Sequence, residues 1–377
     1  MKIDLAKAEE RIMEGLKDFQ RATVDRVIEL YKGGQNRVLV ADEVGLGKTL
    51  VAKGIIAKTA RLNHQGGDDL FKVVYICSNL SIANQNINKL KISEDITVDG
   101  VSDTRLSMQH LKIFEQECDD EIKARYVQII PLTPITSFAM TGGTGSMEER
   151  ALIFAVLRRI DIFRKYLNEL EVILIDSAFV GWKWAKPVYE NRVALCCEKT
   201  SGTYIREVTE LVESYIKDKD IFDEMVTLCN RVRKNGGNKI TGTRNFIYKL
   251  RMMFAQISVE FLNPDLVIMD EFQRFKFLIS ADDLSETGIL VKKFLKGNGT
   301  RVLLLSATPY KLYSTLEEIN ENQIDEHYSE FMQVMNFLID DEKGQKEFKE
   351  IWSNLSVQLR EIDLDYISVI EAKKKAE

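Results

Sequence analysis

Five short apolar runs punctuate the chain: Arg37 to Ala41, Lys72 to Cys77, Val127 to Leu132, Leu266 to Met269 and Arg301 to Leu305. Each is followed by polar residues, and Pro131, Pro134, Pro264 and Pro309 flank or interrupt them, so the runs predict strands bounded by breakers. Continuous apolar runs separated by helical stretches are the pattern of a parallel sheet buried on both faces, with ligand groups at the carboxyl ends of its strands. The fold class is therefore α/β. Between Gly145 and Pro264 the pattern changes. Apolar residues recur at i, i+3, i+4 in Ala151 to Leu167 and Val208 to Ile216, with one proline, Pro187, in the whole stretch. This predicts a mainly helical subdomain inserted into the α/β unit. Thr141 to Gly145 (TGGTG) reads as the hinge into it; a phosphate cradle is the other reading of those glycines, but no Lys-Thr follows to open a helix. Leu316 to Lys375 reads as charged amphipathic helices.

With 377 residues the chain has room for two or three compact units, and 45 % hydrophobic with 29 % charged residues is the composition of a globular protein. Runs such as Leu152 to Leu157 and Val302 to Leu305 are far too short to span a bilayer. Met1 to Arg11 lacks the basic start and apolar middle of a secretory signal, so no membrane partner and a cytoplasmic location are expected. Cys77, Cys118, Cys196, Cys197 and Cys229 contain no C-x-x-C pair and read as reduced thiols. Three histidines (His64, His110, His327) argue against a His-rich metal site, leaving carboxylates, Lys and hydroxyls to carry any chemistry.

The net charge of −6 is unevenly spread. Met225 to Val259 holds Arg231, Arg233, Lys234, Lys239, Arg244, Lys249 and Arg251 and no acid, interleaved with Phe246, Tyr248 and Phe254. Such a segment suits phosphates and bases, and equally a solvated helical face paired with acids elsewhere. Glu317 to Glu377 carries sixteen acids against seven bases. Trp182 and Trp184 read either as a stacking platform or as anchors of a small helical core.

The strongest motif is Asp42 to Thr49, D-E-V-G-L-G-K-T, which fits G-x-x-x-x-G-K-[ST] except for Asp42 in the first position. An apolar strand leads in, Gly45 and Gly47 let backbone amides curl round an anion, and the helix from Thr49 to Arg61 offers its positive end. Glu43, Val44, Gly45, Leu46, Gly47, Lys48 and Thr49 are the expected nucleotide contacts. Lys48 would lie on the β and γ phosphates and Thr49 on Mg²⁺. The run NPDLVIMDEFQRF ends a strand in two carboxylates: Asp270 can hold Mg²⁺ and Glu271 can orient and deprotonate water. Ser306, Ala307, Thr308 and Pro309 follow another strand.

In order, LKDFQ (Leu16 to Gln20), A-D-E-V-G-L-G-K-T, Asp270-Glu271-Phe272-Gln273 and Ser306-Ala307-Thr308-Pro309 resemble the Q motif and motifs I, II and III of superfamily 2 helicases and translocases. The phosphate-loop wording is most similar to the Swi/Snf-type branch and its bacterial helicase-like relatives. VVYICSNLSIANQNINKL stands where motif Ia would be, and IIPLTPITSF resembles the next strand and nucleic-acid loop. The resemblance implies a RecA-like P-loop NTPase lobe with a central, mainly parallel sheet and a large helical insertion. It would be divided as 1–140 and 257–315 for the lobe, 141–256 for the insertion, and 316–377 for an acidic helical extension. It further implies ATP and Mg²⁺ as cofactors, Gln20 with Phe19 at the adenine, Gln273, Ser306 and Thr308 as coupling residues, and Ser78 and Thr133 near a nucleic-acid strand. Arg231, Arg233, Lys234, Arg244, Lys249 and Arg251 are the basic candidates for the same partner.

Two departures qualify the resemblance. Motif II ends in Gln273 where that branch has histidine, and no Q-x-x-G-R-x-x-R motif of a second lobe follows Pro309. The expected activity is an ATP hydrolase of the helicase or translocase type acting on DNA. It would be weak alone and completed by a second RecA-like lobe in a longer protein or another chain. A nucleotide-sensing scaffold without motor activity, an RNA helicase, and a role in phage defence remain open readings.

Overall fold

The computed structural model describes residues 4–43, 45–68, 70–78, 80–93, 105–117, 126–133, 143–218, 220–272, 274, 278, 286–295, 299–306, 332–339, 341–360, 370–371 and 374. Its centre is a five-stranded, all-parallel sheet. The strands are β1 (Arg37–Ala41), β2 (Phe71–Ile76), β3 (Val127–Leu132), β4 (Leu266–Asp270) and β5 (Arg301–Ser306), in spatial order β1-β5-β4-β2-β3. All five expected strands are present, shifted by at most one residue at either end.

The two-residue period of the strands divides the apolar residues between two cores. Phe71, Val73, Tyr75, Ile268, Leu303 and Leu305 face one side. There they meet α1 (Leu5–Glu14), α2 (Asp18–Lys32), α3 (Lys48–Gln65) and α4 (Leu80–Leu90). Val74, Ile76, Val267, Met269, Val302 and Leu304 face the other side. This double burial is why the strands read as continuous apolar runs.

The inserted stretch has its own core. After α5 (Gln109–Glu117) and β3 come α6 (Met147–Leu157), α7 (Leu167–Ile175), α8 (Phe179–Lys199), α9 (Thr203–Asp218), α10 (Ile221–Lys234) and α11 (Arg244–Leu262). α6 opens with a reciprocal cap: the Glu149 amide donates to Ser146 Oγ at 3.2 Å and the Ser146 amide to Glu149 Oε2 at 3.3 Å. Every residue of α6 from Glu149 onward is buried, as in a helix surrounded by other helices. The helical spacing seen over Ala151 to Leu167 is carried by two pieces, with α6 ending at Leu157. A 3₁₀ stretch, Asp161–Tyr166, turns Phe163 and Tyr166 back into the core before α7.

The limit expected for the insertion at residue 256 falls inside α11, which runs unbroken to Leu262. Phe246, Leu250, Phe254 and Ile257 of this helix pack into the helical core, while Met252, Ala255, Val259 and Leu262 pack on the sheet. One helix thus belongs to both units, joined on the sheet side by α12 (Glu286–Leu295). In the acidic C-terminal stretch the described structure is a helical segment at 332–338 and α13 (Glu342–Arg360). No helix among the described residues is long and apolar enough to cross a membrane. Cys77, Cys196, Cys197 and Cys229 form no disulfide, and Cys118 lies outside the described residues.

His110, fully enclosed on α5 beside Tyr204 and Phe254, has Nδ1 3.0 Å from the Tyr204 hydroxyl. Burial pushes its pKa down from 6.5 to about 3. The unfolded chain therefore takes up this proton near its ordinary value, long before the folded chain does. Stability is unaffected above pH ~6.5 and falls below it, by up to ~1.4 kcal/mol per pH unit until the folded value is reached. Urea melts between pH 7 and pH 5 should show a shallower decline for His110→Asn, which keeps an acceptor for Tyr204 but does not titrate. An identical decline in both proteins would refute the assignment.

Candidate nucleotide site

The strand order places the chemistry. Val40 of β1, Leu305 of β5 and Asp270 of β4 lie in one register row, and Ala41 pairs with Ser306. The phosphate-loop sequence leaves the carboxyl end of β1, and Asp270 ends β4 two strands away, about 10 Å at the usual strand spacing. The lysine loop and the carboxylate pair therefore share one edge of the sheet.

Within the loop, Gly45 has φ +89° and Gly47 φ +80°, conformations that side chains disfavour. Gly47 is also crowded: a Cβ there would stand 2.6 Å from Gln20 Nε2. Gly47 caps α3, whose first residue is Lys48. Lys48 Nζ donates to the carbonyls of Asp42 at 3.0 Å and Glu43 at 2.9 Å, so its ammonium spans the curl of the loop. Thr49 is half-buried beside it, while Phe19 and Leu46 are exposed. Val44 lies outside the described residues.

Gln20 is buried and uses both ends of its amide. Oε1 accepts from the Lys17 amide at 3.0 Å, capping α2, and Nε2 donates to the Leu46 carbonyl at 2.8 Å. It ties α2 to the loop, a role the sequence reading, which set it against adenine, did not include.

Asp270 is held from one side. Its Oδ2 accepts from the Tyr75 hydroxyl and from Asn86 Nδ2 at 3.3 Å, and Asn86 Nδ2 also reaches the Tyr75 oxygen at 2.9 Å. Burial and then the Asp270 charge raise the Tyr75 pKa, so the phenol stays protonated and keeps donating. Among the described residues nothing bonds to Oδ1, which is left for another ligand. Glu271 has φ +53°, a left-handed backbone that costs a residue with a side chain about 1 to 3 kcal/mol. Its Oε2 lies 2.8 Å from Arg274 Nε.

Tyr75, Asn86 and Arg274 were missed in the sequence. A tyrosine in the buried apolar end of a strand, after Val73 and Val74 and before Ile76, was the available signal, since its hydroxyl needs a partner. Asn86, inside a helix, gave none.

Among the described residues no cluster of three or more His, Cys, Asp or Glu could hold a metal unaided. The donors present suit a hard cation resting on one hydroxyl, one carboxylate and phosphate oxygens, the habit of Mg²⁺. Tyr75→Phe removes one of the two donors that fix Asp270. The Mg²⁺ concentration giving half-maximal ATP affinity should rise about tenfold, with little change in thermal stability. An unchanged Mg²⁺ requirement would show that the hydroxyl does not position the carboxylate.

Ser306 is buried at the end of β5, beside Ala41; Gln273 and Thr308 lie outside the described residues. Ser78 is half-buried at the end of β2. Thr133, at the end of β3, is only 2 % exposed, so its hydroxyl is not presented to a nucleic-acid strand as expected.

The basic segment also needs correction. Phe246 and Phe254 are core residues of α11 at 0 % exposure and cannot stack on bases. Arg251 is buried, with Nε 2.8 Å from Oε2 of buried Glu149, and cannot reach a phosphate. Arg233 pairs with Glu169 at 2.7 Å, Lys239 with Asp176 at 2.7 Å and Lys249 with Glu224 at 2.6 Å. Arg231 donates to the Thr241 carbonyl at 3.0 Å, and Lys234 and Arg244 are exposed. Most of the apparent basic stripe is a helical face neutralised by acids on neighbouring helices. The tryptophans split the two readings, for Trp182 is buried with Nε1 donating to Glu171 at 2.9 Å while Trp184 is 65 % exposed.

Comparison with known families supplies the class. Residues 14–145 match the family model of the type III restriction enzyme, res subunit, a span that includes Gln20 and the whole phosphate loop. The match indicates a helicase-like ATPase lobe of superfamily 2, in agreement with the parallel sheet and its helical insertion. No curated protein and no solved structure matches the chain.

Proposed function

We propose that this chain is the ATP-binding motor lobe of a DNA helicase or translocase, and that a second RecA-like lobe completes it. The observation that carries the reading is the shared sheet edge: Lys48 and Thr49 follow β1, and Asp270 and Glu271 end β4 with only β5 between. The amides of the glycine loop and the N-terminus of α3 favour the phosphates, and Lys48 exchanges its carbonyl partners for them. Thr49 and Oδ1 of Asp270 would hold Mg²⁺, which when bound neutralises the β and γ phosphate oxygens. Glu271, released from Arg274, accepts a proton from the attacking water. Ser306, beside the loop strand, is placed to relay the nucleotide state, with Gln273 and Thr308 assigned to the same task by the resemblance.

DNA is preferred over RNA because the matched family is a restriction subunit and the loop wording resembles the Swi/Snf-type branch. That is an argument by analogy. Without an arginine from a second lobe, hydrolysis should be slow, since such a residue supplies ~10³ to 10⁵ in related phosphoryl transfers.

The test is binding of duplex DNA, single-stranded DNA and RNA by the full chain across a salt series, with and without ATP. A motor lobe should retain DNA with a steep salt dependence, modulated by nucleotide. ATP binding without affinity for any nucleic acid would favour the nucleotide-sensing scaffold. Brisk DNA-stimulated hydrolysis by this chain alone would remove the need for a second lobe.

A further inference from the structure

A half-open cavity of about 460 Å³ lies outside the phosphate loop, walled by α1, α3 and the end of α4. Among the described residues, Arg11, Lys53 and Lys91 line it with Asn88 and no carboxylate, and Leu16 and Leu50 give it an apolar wall. The nearby acid Glu9 of α1 is committed to Arg61 at 3.1 Å. Arg11 is held in place, its Nη2 donating to the Ile92 carbonyl at 3.3 Å. Lys53 has no ion-pair partner among the described residues; its pKa is lowered by burial and then by the Arg11 charge. Three cations thus line one space, with no opposite charge among the described residues that wall it. That arrangement is unfavourable when vacant of charge and favourable around an anion.

We propose that this cavity is a second anion site, separate from the phosphate loop, for a small phosphorylated ligand of nucleotide size. Three cations match the two or three negative charges of a phosphate monoester or diphosphate, and cationic side chains bind such oxygens through short, charge-assisted hydrogen bonds. The volume lies in the range of small-ligand pockets and exceeds what a bare phosphate fills, and Leu16 with Leu50 offers a surface for a ring. No described phosphate-loop residue lines the cavity. Lys53 lies about 7.5 Å of helix rise beyond Lys48, so one phosphate group does not serve both. Its cations are none of the residues assigned to the proposed ATPase, although Leu16 opens the LKDFQ stretch, and the two ideas fail separately.

The experiment titrates inorganic pyrophosphate into the full chain by calorimetry, using the wild type, Lys48→Ala, and Lys48→Ala combined with Arg11→Gln or Lys53→Gln. With the loop disabled by Lys48→Ala, one pyrophosphate per chain should still bind. Either added substitution should then weaken it about tenfold or more, with the circular dichroism melt unchanged. Should Arg11→Gln unfold the chain, Lys91→Gln at the rim replaces it, with a similar expected loss. Complete disappearance of pyrophosphate binding in Lys48→Ala would leave the loop as the sole anion site and overturn the proposal, with the ATP reading intact. Pyrophosphate binding indifferent to the added substitutions would overturn it too. So would a site that loses single-stranded DNA with Arg11→Gln but never binds pyrophosphate, since its occupant would then be nucleic acid.

Discussion

Lys48→Ala is expected to weaken Mg²⁺-ATP binding by about 100-fold, or roughly 3 kcal/mol, with the fold unchanged. The charge is what matters. Lys48 Nζ now reaches only two carbonyls of its own loop, and both can turn to water, so its loss costs little in stability. In the nucleotide complex the same ammonium would face phosphate oxygens in a loop whose other donors are neutral amides. A titration with a fluorescent ATP analogue checks this, with the thermal melt as control. Lys48→Arg separates charge from shape: a larger, planar cation in a loop set by Gly45 and Gly47 should recover only part of the affinity. Unchanged affinity in Lys48→Ala would remove the phosphate-loop assignment and, with it, the proposed motor.

The sheet was legible because its strands are buried on both faces, which leaves no doubt about where apolar runs begin and end. The loop was legible for a different reason. Positive φ at Gly45 and Gly47, the lysine and the hydroxyl are local requirements, and local requirements leave a pattern of adjacent residues. What the sequence did not show depends on contacts between distant residues. Asp270 is fixed by Tyr75 and Asn86, 195 and 184 residues away in the chain, and no spacing rule links them. The basic stripe stayed open between two readings for the same reason: the acids that pair with most of it, Glu149, Glu169, Asp176 and Glu224, lie on other helices or turns. Phe246 and Phe254 alternate with cations in sequence, yet α11 sends them to the core and most of the cations elsewhere.

Arg251→Ala is expected to destabilise the protein by about 3 to 5 kcal/mol, the usual effect of leaving a buried charge without its partner. Glu149 is 0 % exposed and Arg251 2 %. The Nε to Oε2 distance of 2.8 Å makes a close ion pair, but the approach lies off the N–H direction, so attraction of charges rather than a formed hydrogen bond joins these atoms. Arg251 Nη1 donates to the Gly143 carbonyl at 2.7 Å, and the Ser107 hydroxyl donates to Glu149. This cluster binds α11, the first turn of α6 and the 3₁₀ turn Leu106–Met108, so it fixes the helical insertion to the lobe. Urea denaturation should show the loss, while exposed Arg244→Ala stays within ~0.5 kcal/mol of the wild type. Glu149→Gln combined with Arg251→Met should recover part of it, because the buried pair is then neutral and the cation left over, Arg105 at 3.7 Å from Glu149 Oε2, is partly exposed to water. DNA affinity, measured where both proteins are folded, should be equal for Arg251→Ala and the wild type. A loss of DNA affinity with stability intact would return this arginine to the nucleic-acid surface and deny the cluster its anchoring role.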